Sequence, residues 1–224
     1  MKVLDLFSGI GGFSLGLERA GMETVAFVER DKKAQMVLRK HWKETPIFND
    51  IKSFDRECIG DVDLVCGGFP CQPFSTASRG NKTAEDLWPD MERVICQFRP
   101  KWVIAENVLP APIEKAKTDL EKLGYKCETR NIGANDCGAD HQRYRWWLIA
   151  HTNNKGEFSS TLNAEVAELP KLCEGVWGAE NYARTIRVSN GLPNRVDRFR
   201  MLGNTVIPYI PQVIGRAIMK FEGK

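Results

Sequence analysis

The 224 residues predict an α/β fold, a doubly wound parallel sheet whose ligands sit beyond the carboxyl ends of its strands. Three observations predict it. Short apolar runs alternate with amphipathic ones as far as Ala150, the first apolar run breaks at a glycine turn that opens a helix, and later runs end in chemically distinctive groups. Val3 to Phe7 is the first strand, Ser8 to Gly12 a tight turn, and Phe13 to Ala20 a helix ending at Gly21. Thr24 to Val28 reads as a second strand and Lys32 to Trp42 as a second helix. Asp63 to Cys66 is a buried strand, and Asp86 to Phe98 a helix whose start Pro89 blurs. Trp102 to Ala105 and Trp146 to Ala150 complete the set of buried strands. After His151 the pattern weakens: Thr152 to Ser160 is polar and loop-like, and no clear period emerges before Arg195. Met201 to Val206 then leads into an amphipathic helix, Ile210 to Phe221, that packs back on the sheet. The expected units are residues 1–151, a small unit at 152–197, and a returning segment at 198–224.

Composition narrows the function classes. With 42% hydrophobic and 27% charged residues the chain has enough apolar material for a core, so disorder is not its main theme. A net charge of +3 does not by itself diagnose a polyanion partner, because phosphate binding depends on where the basic residues cluster. The strongest cluster is Arg184, Arg187, Arg195, Arg198 and Arg200, interrupted by the single acid Asp197. The seven cysteines are scattered, without a Cys-x-x-Cys pair and with only three histidines to join them, so no zinc site is expected. Free thiols point to a reducing, cytoplasmic compartment. Asp5 and the glycines after it leave no signal-peptide stretch, and no run of 18 apolar residues predicts a membrane span.

Four segments carry chemistry. In Asp5-Leu6-Phe7-Ser8-Gly9-Ile10-Gly11-Gly12 a strand runs into glycines that admit a ligand close to the backbone, at a helix amino terminus that favours anions. Glu29 ends the second strand twenty residues after Gly9, placed to accept hydrogen bonds from both ribose hydroxyls of a nucleoside-bearing cofactor. The pair does not separate a nicotinamide dinucleotide from S-adenosylmethionine, although Ser14 stands where the dinucleotide fingerprint has its third glycine. In Val65 to Ser75, Pro70 and Pro73 flank Cys71 and stiffen a loop that displays its thiol at the same crevice. Cys66 and Cys96 read instead as small core residues. Val103 to Val108 is a strand ending in Glu106 and Asn107, and a desolvated carboxyl there has a raised pKa that suits it to donate a proton to a heteroaromatic nitrogen. In His141 to Trp147 a strand register puts Arg143 and Arg145 on one face, where guanidinium groups hold a phosphate or carbonyl oxygen, and Tyr144 and Trp146 on the other.

Taken in order, these segments resemble the DNA (cytosine-5)-methyltransferase family. Asp5 to Gly12 with Glu29, then Asp50-Ile51, Pro70-Cys71-Gln72, Glu106-Asn107-Val108, Gln142-Arg143-Tyr144-Arg145 and Gly203-Asn204-Thr205-Val206 match its motifs over about 1–150 and 198–224. The resemblance implies the Rossmann-like fold of S-adenosylmethionine-dependent methyltransferases with a small, shortened target-recognition region. It implies methyl transfer to carbon 5 of a flipped-out cytosine in double-stranded DNA, with S-adenosylhomocysteine as product and no metal. Cys71 would add to carbon 6, Glu106 would act at ring nitrogen 3 and the exocyclic amine, Arg145 would contact the base carbonyl, and Arg143 would support the Cys71 loop or a phosphate. The implied cofactor contacts are Phe7, Gly9, Gly11, Glu29, Arg30, Asp50, Ile51, Pro70, Asn204 and Val206, with the Arg30 guanidinium plane stacking on adenine. Gln72, Ser75, Arg184, Arg187 and Arg195 would contact nucleic acid, the arginines chiefly through phosphates, which gives relaxed site specificity.

Tyr144 stands where the family more often has glutamate, which removes a salt-bridge partner for the arginines. The expected protein is a cytoplasmic, nucleoid-associated monomer, of the kind found in restriction-modification systems. Two readings stay open beside it: a transfer-RNA cytosine-5 methyltransferase, and a non-catalytic DNA-binding protein on the same scaffold.

Overall fold

The computed structural model describes residues 1–70, 85–153, 156–176 and 201–224. Seven strands form one sheet: β1 (Lys2–Leu6), β2 (Glu23–Val28), β3 (Ile47–Phe48), β4 (Leu64–Gly68), β5 (Trp102–Asn107), β6 (Lys126–Ile132) and β7 (Arg145–His151). Their order is β3-β2-β1-β4-β5-β7-β6. The pairs among β1 to β5 are parallel, as expected, but β7 runs antiparallel to both β5 and β6. The expectation of an all-parallel sheet is therefore corrected. The cause lies in the connection between β6 and β7, which is a loop without a crossover helix, closed by Ala134 N–H donating to Gln142 O at 2.7 Å. A link that folds back on itself in this way returns the chain antiparallel.

Helices α1 (Gly12–Arg19), α2 (Lys32–His41), α3 (Trp88–Phe98), α4 (Pro110–Lys122), α5 (Phe158–Val166), α6 (Leu169–Leu172) and α7 (Tyr209–Glu222) cover the sheet. The two faces of the strands alternate into separate apolar layers. Val3, Cys66, Ile104, Trp147 and Ile149 pack under α1, α5, α6 and α7. Leu4, Leu6, Val65, Val103, Ala105 and Leu148 pack under α3 and α4. This period-two division is what a sheet buried on both sides requires.

Pro89 sits in the first turn of α3, where its missing N–H costs nothing, and α4 likewise begins on a proline. The prolines of Pro110-Ala111-Pro112 hid α4 from the apolar pattern, and the polar run of β6 hid that strand. The loop-like reading of 152–160 is also corrected, since α5 begins at Phe158. Phe158, Leu162, Leu169 and Cys173 belong to the same buried cluster as Trp102, Ile104 and Trp147. Glu165, buried on α5, pairs with Arg216 and Lys220 of α7 and fixes the last helix in place.

No described helix is long and apolar enough to cross a membrane.

Candidate active site

The carboxyl edge of β1 carries the first half of the site. Beyond Leu6 the chain turns sharply through three left-handed residues, Phe7 (φ 53°), Gly9 (φ 54°) and Gly11 (φ 86°). Asp5, fully buried, accepts the Ser14 hydroxyl at 2.6 Å and the Ser14 amide at 3.3 Å, tying the start of α1 to the strand that precedes it. Burial pushes the Asp5 carboxyl up to about 7, against the lowering effect of its bonds from Ser14. At Gly11 a Cβ would fall 2.6 Å from the Trp42 ring, so only glycine fits under that indole. At Gly9, by contrast, the space is open.

Glu29, at the end of β2, accepts the Gly9 amide at 2.7 Å through Oε2 and the Asp31 amide at 2.6 Å through Oε1. Each oxygen keeps a further lone pair for the hydroxyls of a ligand. Ile51 is buried, and its backbone carbonyl is held by Arg93 of α3, which also donates to Phe54 O at 3.0 Å. Asp50 is exposed and caps the turn after it by accepting the Lys52 amide at 3.0 Å. Arg30 and Asn204 are exposed, whereas Val206 is buried.

The second half lies where β4, β5 and β7 end or begin. Glu106 on β5 pairs in register with Gly68 on β4 and Trp147 on β7. A Cβ on Gly68 would stand 2.7 Å from Glu106 Oε2, so the missing side chain makes the space the carboxyl occupies. The sequence carries a signal for this in its Gly67-Gly68 pair at a strand end. Glu106 is 7% exposed, and Arg145 Nε lies 3.0 Å from its Oε1, off the line of a hydrogen bond. Burial raises the Glu106 carboxyl to about 7, while Arg145 and Arg143 pull it back. A carboxyl so poised both donates and accepts a proton near neutrality.

Asn107 ties two backbone segments together. Its amide donates to Phe69 O at 2.9 Å and its carbonyl oxygen accepts Leu109 N–H at 3.2 Å. It thus fastens the strand end from which the Pro70-Cys71 segment departs, and Leu87 N–H closes on Pro70 O at 3.1 Å from the far side. Cys71, Gln72, Ser75, Arg184, Arg187 and Arg195 lie outside the described residues. Arg145 meets Glu106, a contact that the sequence does not announce. The Arg143 guanidinium donates to the backbone carbonyls of Gly203 and Thr205; the Cys71 loop it is expected to support lies outside the described residues. Tyr144, in the place of the missing glutamate, accepts the Asn135 side-chain amide at 2.9 Å through its hydroxyl and braces the 133–144 loop.

Among the described residues no group of three or more His, Cys, Asp or Glu side chains is arranged to hold a metal.

Comparison with known proteins places this geometry. A family model described as C-5 cytosine-specific DNA methylase matches residues 1–186. The Type II methyltransferase M.HhaI of Haemophilus parahaemolyticus is 34% identical over 182 residues, covering 76% of this chain and 53% of that protein. M.HindV of Haemophilus influenzae, also a Type II methyltransferase, is 32% identical over 182 residues, covering 76% of this chain and 60% of its own. The chain thus spans little more than half the length of these curated relatives. In fold it is similar, over the full length of both chains, to an E. coli prophage-encoded protein assigned as a DNA modification methyltransferase, with a TM-score of 0.71 at 18% identity.

Proposed function

The chain belongs to the C-5 cytosine-specific DNA methylase family, and from that premise we propose that it transfers a methyl group from S-adenosylmethionine to carbon 5 of a cytosine flipped out of double-stranded DNA. The observation that carries the reading is the buried Glu106 carboxyl, held at about 7 beside Arg145 at the strand edge from which the Cys71 segment departs. A heteroaromatic ring is activated for thiol addition by a proton at its nitrogen, and Glu106 holds that proton at neutral pH.

The pocket residues fit the cofactor. The left-handed turn at Phe7, Gly9 and Gly11 leaves open space at Gly9, and Glu29 offers its spare lone pairs to the two ribose hydroxyls. Ile51, braced by Arg93, offers an apolar wall for the adenine, with Asp50 beside it. Pro70 and the buried Val206 are assigned to the methionine part, and the exposed Asn204 and Arg30 to the outer side of the cofactor. When bound, the cofactor supplies an electrophilic sulfonium methyl. The chain's residues do the rest. The Cys71 thiolate forms a bond to carbon 6, and Glu106 gives its proton to ring nitrogen 3 as electron density moves onto the ring. Carbon 5 then takes the methyl group as the methyl–sulfur bond breaks and S-adenosylhomocysteine leaves. Loss of the carbon-5 proton to water, departure of Cys71 and return of the ring-nitrogen proton to Glu106 restore the aromatic ring and regenerate both the thiolate and the acid. Arg145 holds Glu106 and the base carbonyl in one plane. Gln72 and Ser75 contact the duplex near the displaced base. Arg184, Arg187 and Arg195 engage phosphates from within the recognition segment, which we place in residues 152–197.

The test is a duplex carrying 5-fluorocytosine, which lacks the proton that β-elimination removes. Incubation with S-adenosylmethionine should give a denaturation-stable protein–DNA adduct, absent from Cys71→Ser. Adduct formation on transfer RNA alone, or none on either nucleic acid, overturns the reading.

A further inference from the structure

We propose that Arg143 is a positioning residue that clasps the returning 203–206 segment over the cofactor turn, so that cofactor affinity, rather than contact with the base, depends on it. The inference rests on the cofactor reading above and adds a role for this side chain. One guanidinium nitrogen, Nη2, donates to Gly203 O and, at 2.8 Å, to Thr205 O, some sixty residues away in the chain. The segment it grips lies directly on the first residue of α1. A Cβ on Gly12 would meet the Thr205 hydroxyl and stand 2.9 Å from Val206 O. Arg143 therefore connects two ligand-bearing regions that are remote in sequence: the β7 start that serves Glu106, and the turn-to-helix junction that receives the cofactor.

The backbone supports the same role. Arg143 takes a left-handed φ of 39°, one of three such non-glycine residues described. L side chains avoid that region unless the surroundings hold them there. Here the two carbonyl bonds hold it, and the turned backbone aims the side chain across to 203–205. Arg145, two residues on, is meanwhile left facing Glu106.

Loss of the clasp should be local. Val206 is buried, and Ile210, Val213, Ile214, Ala217 and Ile218 of α7 pack in the core. The last helix thus stays docked without Arg143. Residues 202–204 are exposed, and Arg143 supplies the long-range bonds that hold their carbonyl side.

The experiment is calorimetric titration of S-adenosylhomocysteine, without DNA, onto wild type, Arg143→Met and Arg143→Lys. Methionine keeps the length and apolar stem but has no donor, while the lysine ammonium can still reach a carbonyl. The Met variant should bind about tenfold or more weakly and the Lys variant should recover part of that, with unliganded melting temperatures within a few degrees of wild type. Hydrogen exchange across 201–206 should be faster in the Met variant, and ligand should slow it in wild type. Equal affinity in the Met variant overturns the clasp while leaving the cofactor reading intact. Weaker binding that merely follows a collapse in melting temperature also overturns it, because the role is then one of fold stability. Absence of binding by wild type removes the cofactor reading and the clasp together.

Discussion

Gly68→Ala tests whether the position of the Glu106 carboxyl, and not merely its presence, sets the rate. The new Cβ would stand 2.7 Å from Glu106 Oε2, whereas ordinary van der Waals contact begins near 3.4 Å, so the carboxyl must retreat by about 0.7 Å. The obstructing atom is the end of a side chain, so the sheet survives the change while the proton donor is misplaced. A displacement approaching 1 Å in a catalytic group is expected to lower kcat about 10- to 100-fold, or about 1.4–2.7 kcal/mol of transition-state stabilisation. The assay is methyl incorporation into duplex DNA at saturating cofactor, run from pH 6 to 9 beside calorimetric binding of S-adenosylhomocysteine. Because Glu106 titrates at about 7 and acts in its protonated form, its contribution should be full below that pH and fade above it. In the variant the plateau should fall while the descending limb stays near neutrality, because the carboxyl is displaced but remains buried. The binding measurement separates a misplaced carboxyl from a disturbed cofactor turn, because Gly67, next to Gly68, pairs with Leu6 at the start of that turn. A kcat within twofold of wild type would refute the reasoning, because the carboxyl would then be indifferent to its place.

Three further changes probe the same edge. Glu106→Gln should lower kcat about 10²- to 10⁴-fold and remove the descending limb near pH 7, because an amide keeps the shape but has no acid to titrate; a pH–rate profile reads both effects. Asp5→Asn removes a buried carboxyl raised from 3.8 to about 7, with Glu29, Glu18 and Cys66 among its neighbours. In wild type the folded state holds that proton more tightly than the unfolded chain, so stability declines as pH rises from about 4 to 7. The variant should escape this decline and gain up to about 4 kcal/mol relative to wild type between pH 4 and 8, measured by denaturant unfolding at each pH. Asn107→Ala leaves Phe69 O buried without its donor and should cost about 1–3 kcal/mol in thermal melts, with a loss of kcat as the stem of the Cys71 segment loosens.

Much of the site was legible because its chemistry sits at strand ends, where apolar runs stop abruptly at the Ser8–Gly12 turn, Glu29 and Glu106. What escaped was of two kinds. Elements whose burial is shared across one face, such as β6 with its Lys126-Cys127-Glu128-Thr129-Arg130 run, show no apolar pattern and form because β7 is there to pair with them. Contacts made by absence or by backbone, namely the space at Gly68, the carbonyls that Arg143 grips and the carbonyl that Asn107 caps, involve no residue type that announces a partner. Only the Gly67-Gly68 pair at a strand end left a mark in the sequence, because a side chain at either position would meet a neighbouring strand's atoms.

The reversal of β7 explains why the arginine segment works at all. In a parallel sheet the residues that begin a strand lie at the edge opposite to those that end its neighbour. Arg143 and Arg145, preceding or opening β7, would then stand about a strand length from Glu106, which closes β5; five or six residues at about 3.3 Å each is roughly 17–20 Å. The antiparallel register instead sets Asn107 against Trp146 and Glu106 against Trp147, so the start of β7 and the end of β5 share an edge. Arg145, on the same face as Glu106 two positions from its partner, can then approach to 3.0 Å. A parallel β7 is thus incompatible with the observed approach of Arg145 to Glu106. A motif that places charged side chains before a strand, rather than after it, requires that strand to run against its neighbour if those side chains are to meet a group at the neighbour's carboxyl end. On this argument, restoring a parallel β7 would separate Arg145 from Glu106 even with every side chain retained, so the site depends on the short 133–144 loop as much as on the residues it delivers.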